Sequence, residues 1–285
     1  MKIVQIIGGL GNQMFQYAFA LKLKHLYPKE KVLLDISDFQ IYETRNYELG
    51  NVFNVTLPYA SKLDKFRVFP YLPIVNKRLD FLRKEYVEEY ERSFSFDEKA
   101  LQIKKDCYYR GYWFCQDYFV DISDEIRSSY IFKKPLGDEN IKLKELIDST
   151  NSVSIHVRRG DYLLYDIFKN ICEIDYYERA IKYIKTQVEN PHFFIFSNDP
   201  DWCTANLLKL IDGDVTFSNN NSDSTNYVDM QLMACCKHNI IAHSSFSWWS
   251  SWLNTNPNKI VVAPKRWLND VKVKNGPQLD SWILM

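Results

Sequence analysis

The 285 residues include 36 Lys plus Arg and 36 Asp plus Glu, so no global field draws in nucleic acid or an anionic membrane, and an anionic ligand must be met by local groups. A content of 46% hydrophobic and 25% charged residues is that of a soluble globular chain, long enough for two Rossmann-sized cores. The N-terminal apolar run is far too short for a signal sequence or a membrane span, which predicts a cytoplasmic protein; six cysteines without a CxxC pair and five scattered histidines predict reduced thiols and no metal site.

Lys2 to Ile7 reads as a buried strand. Gly8-Gly9-Leu10-Gly11-Asn12-Gln13 follows, then a helical pattern with Met14, Tyr17, Ala18 and Leu21 on one stripe. Lys31 to Ile36 is a second strand, completing a βαβ unit. Such a glycine turn lets backbone N–H groups at a helix N-terminus approach a phosphate, which marks Gly9 and Gly11; a tight structural turn accounts for them equally. A dinucleotide fingerprint fits less well, because Met14 takes the place of the third glycine, although Asp35 lies where a ribose-binding acid would be.

From Asp38 to Arg92 the pattern is irregular and aromatic, with Tyr42, Arg45, Tyr47, Phe66, Phe69 and Tyr71 serving either a binding surface or the core. Residues 79–90 are expected to form an exposed helix, Tyr108 to Phe114 an aromatic strand of the first sheet, and Gln116 to about Tyr130 a helical segment. The stretch Lys133-Lys134-Pro135-Leu136-Gly137-Asp138 has linker chemistry, so the domains are set at 1–135 and 136–285.

The second half alternates strands at 152–158, 193–197, 215–218, 239–242 and 259–263 with helical patterns at 175–189, 200–210, 224–237 and 246–254. This is the signature of a doubly wound parallel sheet, whose ligands bind beyond the carboxyl ends of its strands. The first of these strands is unusual. Side chains alternate along a strand, so Val153, Ile155 and Val157 share one face and Ser154, His156 and Arg158 the other. A strand buried on both sides should be nearly all apolar, and a Ser-His-Arg face needs hydrogen-bonding or anionic partners. Arg159 and Asp161 fall just past its end. An internal Arg–Asp salt bridge beside a satisfied histidine is the plain alternative.

Two other strand ends are polar, Phe196-Ser197-Asn198-Asp199 and Ala242-His243-Ser244-Ser245-Phe246-Ser247. Each could simply cap the helix that follows, with Pro200 at the first helical position of one and Trp248, Trp249 and Trp252 on the other. Arginine forks beside serine hydroxyls and helix N-termini are, in addition, the chemistry of a diphosphate clamp.

Four blocks then combine: Gly8-Gly9-Leu10-Gly11-Asn12-Gln13-Met14-Phe15-Gln16-Tyr17, His156-x-Arg158-Arg159-x-Asp161-Tyr162, Phe196-Ser197-Asn198-Asp199, and Asp229-Met230 through Trp252, continuing to Ala263-Pro264. With these in this order the chain resembles the bacterial alpha-1,2-fucosyltransferases of glycosyltransferase family 11. The resemblance implies an α/β, GT-B-like fold, two Rossmann-like doubly wound domains facing a cleft. Domain 1–135 would serve the acceptor and 136–285 would hold the GDP-sugar. The implied reaction is transfer of L-fucose from GDP-fucose, with inversion, to the 2-hydroxyl of a terminal galactose. The implied acceptor is an oligosaccharide or a lipid-linked glycan, the latter compatible with peripheral membrane association.

The resemblance further assigns Arg158 to the diphosphate with Arg159 behind it, His156 and Asp199 to the nucleoside, Ser244, Ser245 and Ser247 to the phosphates, and Asn12 to the sugar phosphate. No metal or other cofactor is implied. Asp161 and Asp166 are the candidate bases for the acceptor hydroxyl. The chain departs from the family at Phe114-Cys115, where Gln and Ser are usual, at His243 for Asn, and at Ser250-Ser251 for Gly-Ala. A transferase using another GDP-sugar such as GDP-mannose, and a non-catalytic glycan-binding module built on Trp248, Trp249 and Trp252, are the rival readings; the helical spacing of those tryptophans argues for core packing.

Overall fold

The computed structural model describes residues 1–40, 45–68, 85–88, 94–222, 224–270 and 276–285, in two compact units, Met1–Lys133 and Lys134–Met285. Tyr42, Phe69 and Tyr71 lie outside the described residues.

The first unit runs β1 (Lys2–Gln5), α1 (Leu10–Leu26), β2 (Val32–Asp35), α2 (Leu49–Val52), α3 (Lys62–Val68), β3 (Glu85–Glu88), α4 (Glu98–Leu101), β4 (Cys107–Arg110) and α5 (Ser123–Ser129). Its sheet is parallel in the order β2-β1-β4-β3. All four residues of β1 are buried, and Lys2 meets burial by donating to the carbonyls of Ile103 and Lys105. α1 is buried over most of its surface, with Phe19 stacked on Trp113 at 3.9 Å.

Two expectations change here. Glu85–Glu88, inside the helix expected at 79–90, is strand β3, paired with β4 from Glu85↔Cys107 to Glu88↔Arg110; the rest of that span lies outside the described residues. Pairing to a distant strand overrides the local helical pattern. The aromatic strand ends at Arg110 rather than Phe114, because the backbone turns through Gly111 to Trp113 at φ +58°.

The second unit runs α6 (Asp138–Ser149), β5 (Asn151–Val157), α7 (Ile174–Gln187), β6 (Pro191–Ser197), α8 (Pro200–Asn206), β7 (Val215–Phe217), α9 (Tyr227–Cys235), β8 (His238–Ile240), α10 (Ser245–Leu253), β9 (Val261–Ala263) and β10 (Ile283–Leu284). The five expected strands are all present, while α6 and β10 are additions. The sheet is parallel and ordered β10-β9-β8-β5-β6-β7. Read from the β7 edge this is the order 3-2-1-4-5-6, and the winding direction reverses between β5 and β8.

That order explains the mixed face of β5. Val153, Ile155 and Val157 pack with Tyr177, Ala180, Ile181 and Ile184 of α7. On the other face, Phe194 and Phe196 join Leu143 and Ile147 of α6 and Val228, Leu232 and Met233 of α9. Ser154 is satisfied there by Asn239, whose Nδ2 donates to Ser154 Oγ at 2.8 Å and to the Met233 carbonyl at 2.8 Å. Asn254 Nδ2 donates in turn to Asn239 Oδ1. Trp248, Trp249 and Trp252 are buried against one another, so they form core and not a glycan platform. At the carboxyl end of β5 polarity remains that the packing does not absorb, with His156 Nδ1 lacking a partner among the described residues.

Candidate functional site

His156, Arg158 and the corner after them stand where β5 is flanked by β6 and β8, beside the reversal of winding at which ligands settle in such sheets. Arg158 keeps 24% of its side chain exposed; its Nη2 donates to Asp161 Oδ1 at 2.6 Å, and its guanidinium lies 5.2 Å from the centroid of the Tyr162 ring. The Arg–Asp pair expected as the plain alternative is therefore present. It occupies one corner of a planar fork with five donors, so Asp161 can steady Arg158 while the fork still presents donors to an anion.

Arg159 is held differently. Its Nε donates to Asp199 Oδ2 at 3.3 Å, its Nη1 is 3.7 Å from Glu173 Oε2, and its guanidinium lies 4.3 Å from the Trp202 ring centroid. It is a strut. Asp199 is engaged on both oxygens, because Oδ1 caps α8 by accepting from Trp202 N at 3.1 Å. Capping and the Arg159 pair thus give Asp199 an internal role on each oxygen.

His156 is buried, and its Nδ1 has no partner among the described residues. Burial first, then the charge of Arg158 and the coupling to His243, push its pKa down to about 3, so the ring is neutral. His243, also buried, sits with Nδ1 3.2 Å from Cys172 Sγ and its ring 5.0 Å from Tyr162. Its pKa falls to about 4, chiefly through burial.

Two neutral buried histidines carry a pH consequence. The unfolded chain binds their protons near pH 6.5 and the folded chain only near 3 to 4, so their stabilising contribution is full above about 6.5 and is lost as pH falls toward those values. The unfolding free energy from urea titrations should drop steadily below pH 6.5, by up to about 1.4 kcal/mol per pH unit for each histidine. His156→Gln should flatten that slope, and equal slopes in variant and parent would refute the assignment.

Ser244 caps α10, its Oγ accepting from Phe246 N, and Ser245 is half-buried in the first turn. Ser247 leaves the candidate set: it is fully buried, with Oγ directed at the carbonyls of Ala242 and Ser244. Asp166 also sits poorly as a base, its carboxylate 96% exposed, 2.8 Å from Lys169 Nζ and held below the ordinary range by that partner.

Gly9, Gly11 and Asn12 belong to the first unit. Gly9 is the N-cap of α1, and Asn12 N and Gln13 N donate to its carbonyl. The glycine that the turn requires is Gly8, at φ +77°, where a Cβ would come within 2.5 Å of Asn12 Nδ2.

Sequence reasoning missed three groups. Gln13 is fully buried and stitches the glycine turn to residues 46–49. Asn198 binds the backbone of Arg159. Asp229, near the carboxyl end of β7, accepts on Oδ1 from Ser218 Oγ at 2.8 Å and Asn221 Nδ2 at 2.6 Å, and burial raises its pKa. Asn198 and Asp229 had visible signals, one in a polar strand end and the other as an acid in the first turn of a largely apolar helix. Among the described residues no three His, Cys, Asp or Glu side chains are grouped to hold a metal, and no helix is long and apolar enough to cross a membrane.

Comparison with known proteins fits this geometry. The model of Glycosyl transferase family 11 matches residues 1–285. The chain is 32% identical to the O-antigen biosynthesis glycosyltransferase WbnK of Escherichia coli over 97% of each chain. It is 31% identical to an Alpha-1,2-colitosyltransferase of Escherichia coli, over 99% of this chain and 97% of that one. The human Galactoside alpha-(1,2)-fucosyltransferase 1 is 26% identical over 86% of this chain and 63% of its own length. In fold it is similar to NodZ alpha-1,6-fucosyltransferase soaked with GDP-fucose, with a TM-score of 0.56 and 14% identity over 88% of this chain and 91% of that one. Two parallel α/β units, a cationic corner at the winding reversal and a family match over the whole length converge: the chain belongs to glycosyltransferase family 11, as a fucosyltransferase-like glycosyltransferase of GT-B fold.

Proposed function

We propose that this enzyme moves L-fucose from GDP-fucose to the 2-hydroxyl of a terminal galactose, with inversion at the fucose carbon. The observation that carries the reading is Arg158, a partly exposed guanidinium steadied by Asp161 at the winding reversal of the second unit. Bond cleavage places developing charge on the departing GDP, and a fork held in place before the reaction stabilises it more than it stabilises the intact donor. The N-terminus of α10 with Ser244 and Ser245 adds partial positive charge nearby in the fold. Arg159 braces the corner. Asp161 acts on Arg158 and is assigned as its brace rather than as the base; as the new C–O bond forms and the bond to GDP breaks, the proton of the acceptor hydroxyl passes to an oxygen of the departing diphosphate.

The nucleoside falls to His156 and, in place of Asp199, to Asp229. A guanine edge offers N–H donors that a carboxylate accepts, and the bonds that hold Asp229 converge on Oδ1. His156, neutral, suits a nucleoside without repelling Arg158.

The second unit thus holds the donor and the first is assigned to the acceptor. A colitosyl donor is the second reading, favoured by the 31% identical relative of that name. Colitose is fucose without its 3-hydroxyl, so the two donors share the same diphosphate and base contacts. Incubation with GDP-fucose, GDP-colitose and GDP-mannose and a panel of galactosides, with linkage determined on the product, is the test. Alpha-1,2-linked fucosyl product with GDP-fucose preferred is the expected result; transfer confined to another donor would replace the reading. Asp229→Asn should also erase the wild-type preference for GDP over inosine diphosphate, which lacks the 2-amino group, and an unchanged preference would remove Asp229 from the base contact.

A further inference from the structure

We infer that Asn198 is a positioning residue for the transfer reaction, holding the backbone corner that fixes the Arg158–Asp161 pair; this rests on the diphosphate reading of Arg158. The ladder between β5 and β6 ends at the pair Val157↔Ser197. Beyond it the side chain of Asn198 continues the pairing. Its Oδ1 accepts from Arg159 N at 2.9 Å, and its Nδ2 donates to the Arg159 carbonyl at 3.3 Å.

The chain then turns sharply. Gly160 has φ +60°, and a Cβ there would stand 2.7 Å from Asn198 Nδ2, so the glycine permits both the turn and the close approach of the amide. Tyr162 N donates to the same Arg159 carbonyl at 3.2 Å, closing the turn. The closed turn brings Asp161 back to Arg158 Nη2 and the Tyr162 ring under the Arg158 guanidinium. Each link in this chain touches the next. Asn198 grips Arg159, the Arg159 carbonyl closes the Gly160 turn, and the turn delivers the two groups that aim Arg158.

Only a carboxamide of this length supplies one acceptor and one donor to the N–H and the carbonyl of a single residue. Aspartate keeps the bond from Arg159 N and sets a carboxylate against the Arg159 carbonyl; alanine loses both. Asn198 is exposed, so water replaces its hydrogen bonds on substitution and the cost in stability is small. The cost falls on geometry, where displacement of a charged group by an ångström is felt in the rate.

The test is a double-mutant cycle on the full chain between Asn198→Ala and Asp161→Asn, reading the Kd of GDP by calorimetry and kcat and KM with the active GDP-sugar. Asn198→Ala is expected to weaken GDP binding and lower kcat by about tenfold each, with the thermal midpoint within a few degrees of wild type. Asn198→Asp should fall between the two and serves as the readout if the alanine variant does not fold. In the Asp161→Asn background the same substitution should cost less than about threefold, because the element it acts through is already lost. Effects that simply multiply, or GDP binding and kcat within twofold of wild type, would overturn the inference. Failure of the wild-type chain to bind GDP would instead overturn the diphosphate reading.

Discussion

Arg158→Ala should lower turnover by a factor of about one hundred to one thousand, corresponding to about 2.7–4 kcal/mol of lost transition-state stabilisation. It should also weaken GDP binding while the circular dichroism spectrum stays native. The physical reason is the asymmetry between the two states. In the intact donor the diphosphate charge is shared through the glycosidic oxygen, whereas in the transition state it gathers on the leaving group, and a preorganised guanidinium responds to that change without reorganising. Arg158 is supported for this task, with Asp161 on one donor and the Tyr162 ring beneath it.

Arg158→Lys should recover only part of the loss, because an ammonium restores the charge and not the planar fork. Steady-state kinetics with the active donor and calorimetry with GDP decide the matter. Activity of the alanine variant within about tenfold of wild type, a barrier change near 1.4 kcal/mol, would remove Arg158 from the centre of the mechanism.

Gln13→Ala should destabilise the first unit by about 3–5 kcal/mol. Gln13 Nε2 donates to the carbonyls of Gly8 at 2.8 Å and Asn46 at 2.9 Å, while its Oε1 accepts from Glu48 N and Leu49 N, each at 3.0 Å. Four backbone groups from two separate segments therefore share one fully buried amide. Alanine removes the amide that these groups share, and the penalty for losing a partner at a buried polar group is larger than the net value of the bond itself. Gln13→Glu keeps the two acceptor contacts and opposes a carboxylate to two carbonyls, so it should be damaging as well. Urea unfolding followed by fluorescence measures the effect. A loss below about 1 kcal/mol would show that the segment bearing Glu48 and Leu49 holds its place without Gln13.

The same two residues show how unevenly the sequence speaks. Arg158 was visible because it breaks a pattern: a polar face on a strand whose other face is Val153, Ile155 and Val157 demands a partner. Gln13 breaks no pattern that a one-dimensional reading can see, since a glutamine on a helix is ordinarily solvated, and only its meeting with residues 46–49 reveals its role. Asn198 and Asp199 looked alike as helix-capping residues. The structure separates them, giving Asp199 the cap and Asn198 the backbone of a neighbouring strand end.

Strand β3 carries the same lesson at the level of the fold. Glu85–Glu88 is a strand because Cys107–Arg110 lies beside it, a pairing across about twenty residues that local preference does not encode. The resemblance grouped Ser247 with Ser244 and Ser245, but the turn of α10 directs it into the core. Both outcomes follow from packing, which periodicity limits without deciding.

By itself the sequence determined the alternation of strands and helices in the second half, the polar strand ends at Arg158, Asp199 and Ser244, and the family to which the four motif blocks belong. These are local quantities: side-chain period, capping chemistry and residue order are written along the chain. The tertiary structure decided which polar groups find partners within the fold and which stay exposed or unpartnered. It assigned Ser154 to Asn239, Asp199 to Arg159 and Trp202, and Ser247 to its own helix, and it left Arg158 partly exposed with His156 buried and neutral. Satisfaction of a buried polar group is a property of its surroundings in three dimensions, and residues far apart in the chain supply those surroundings.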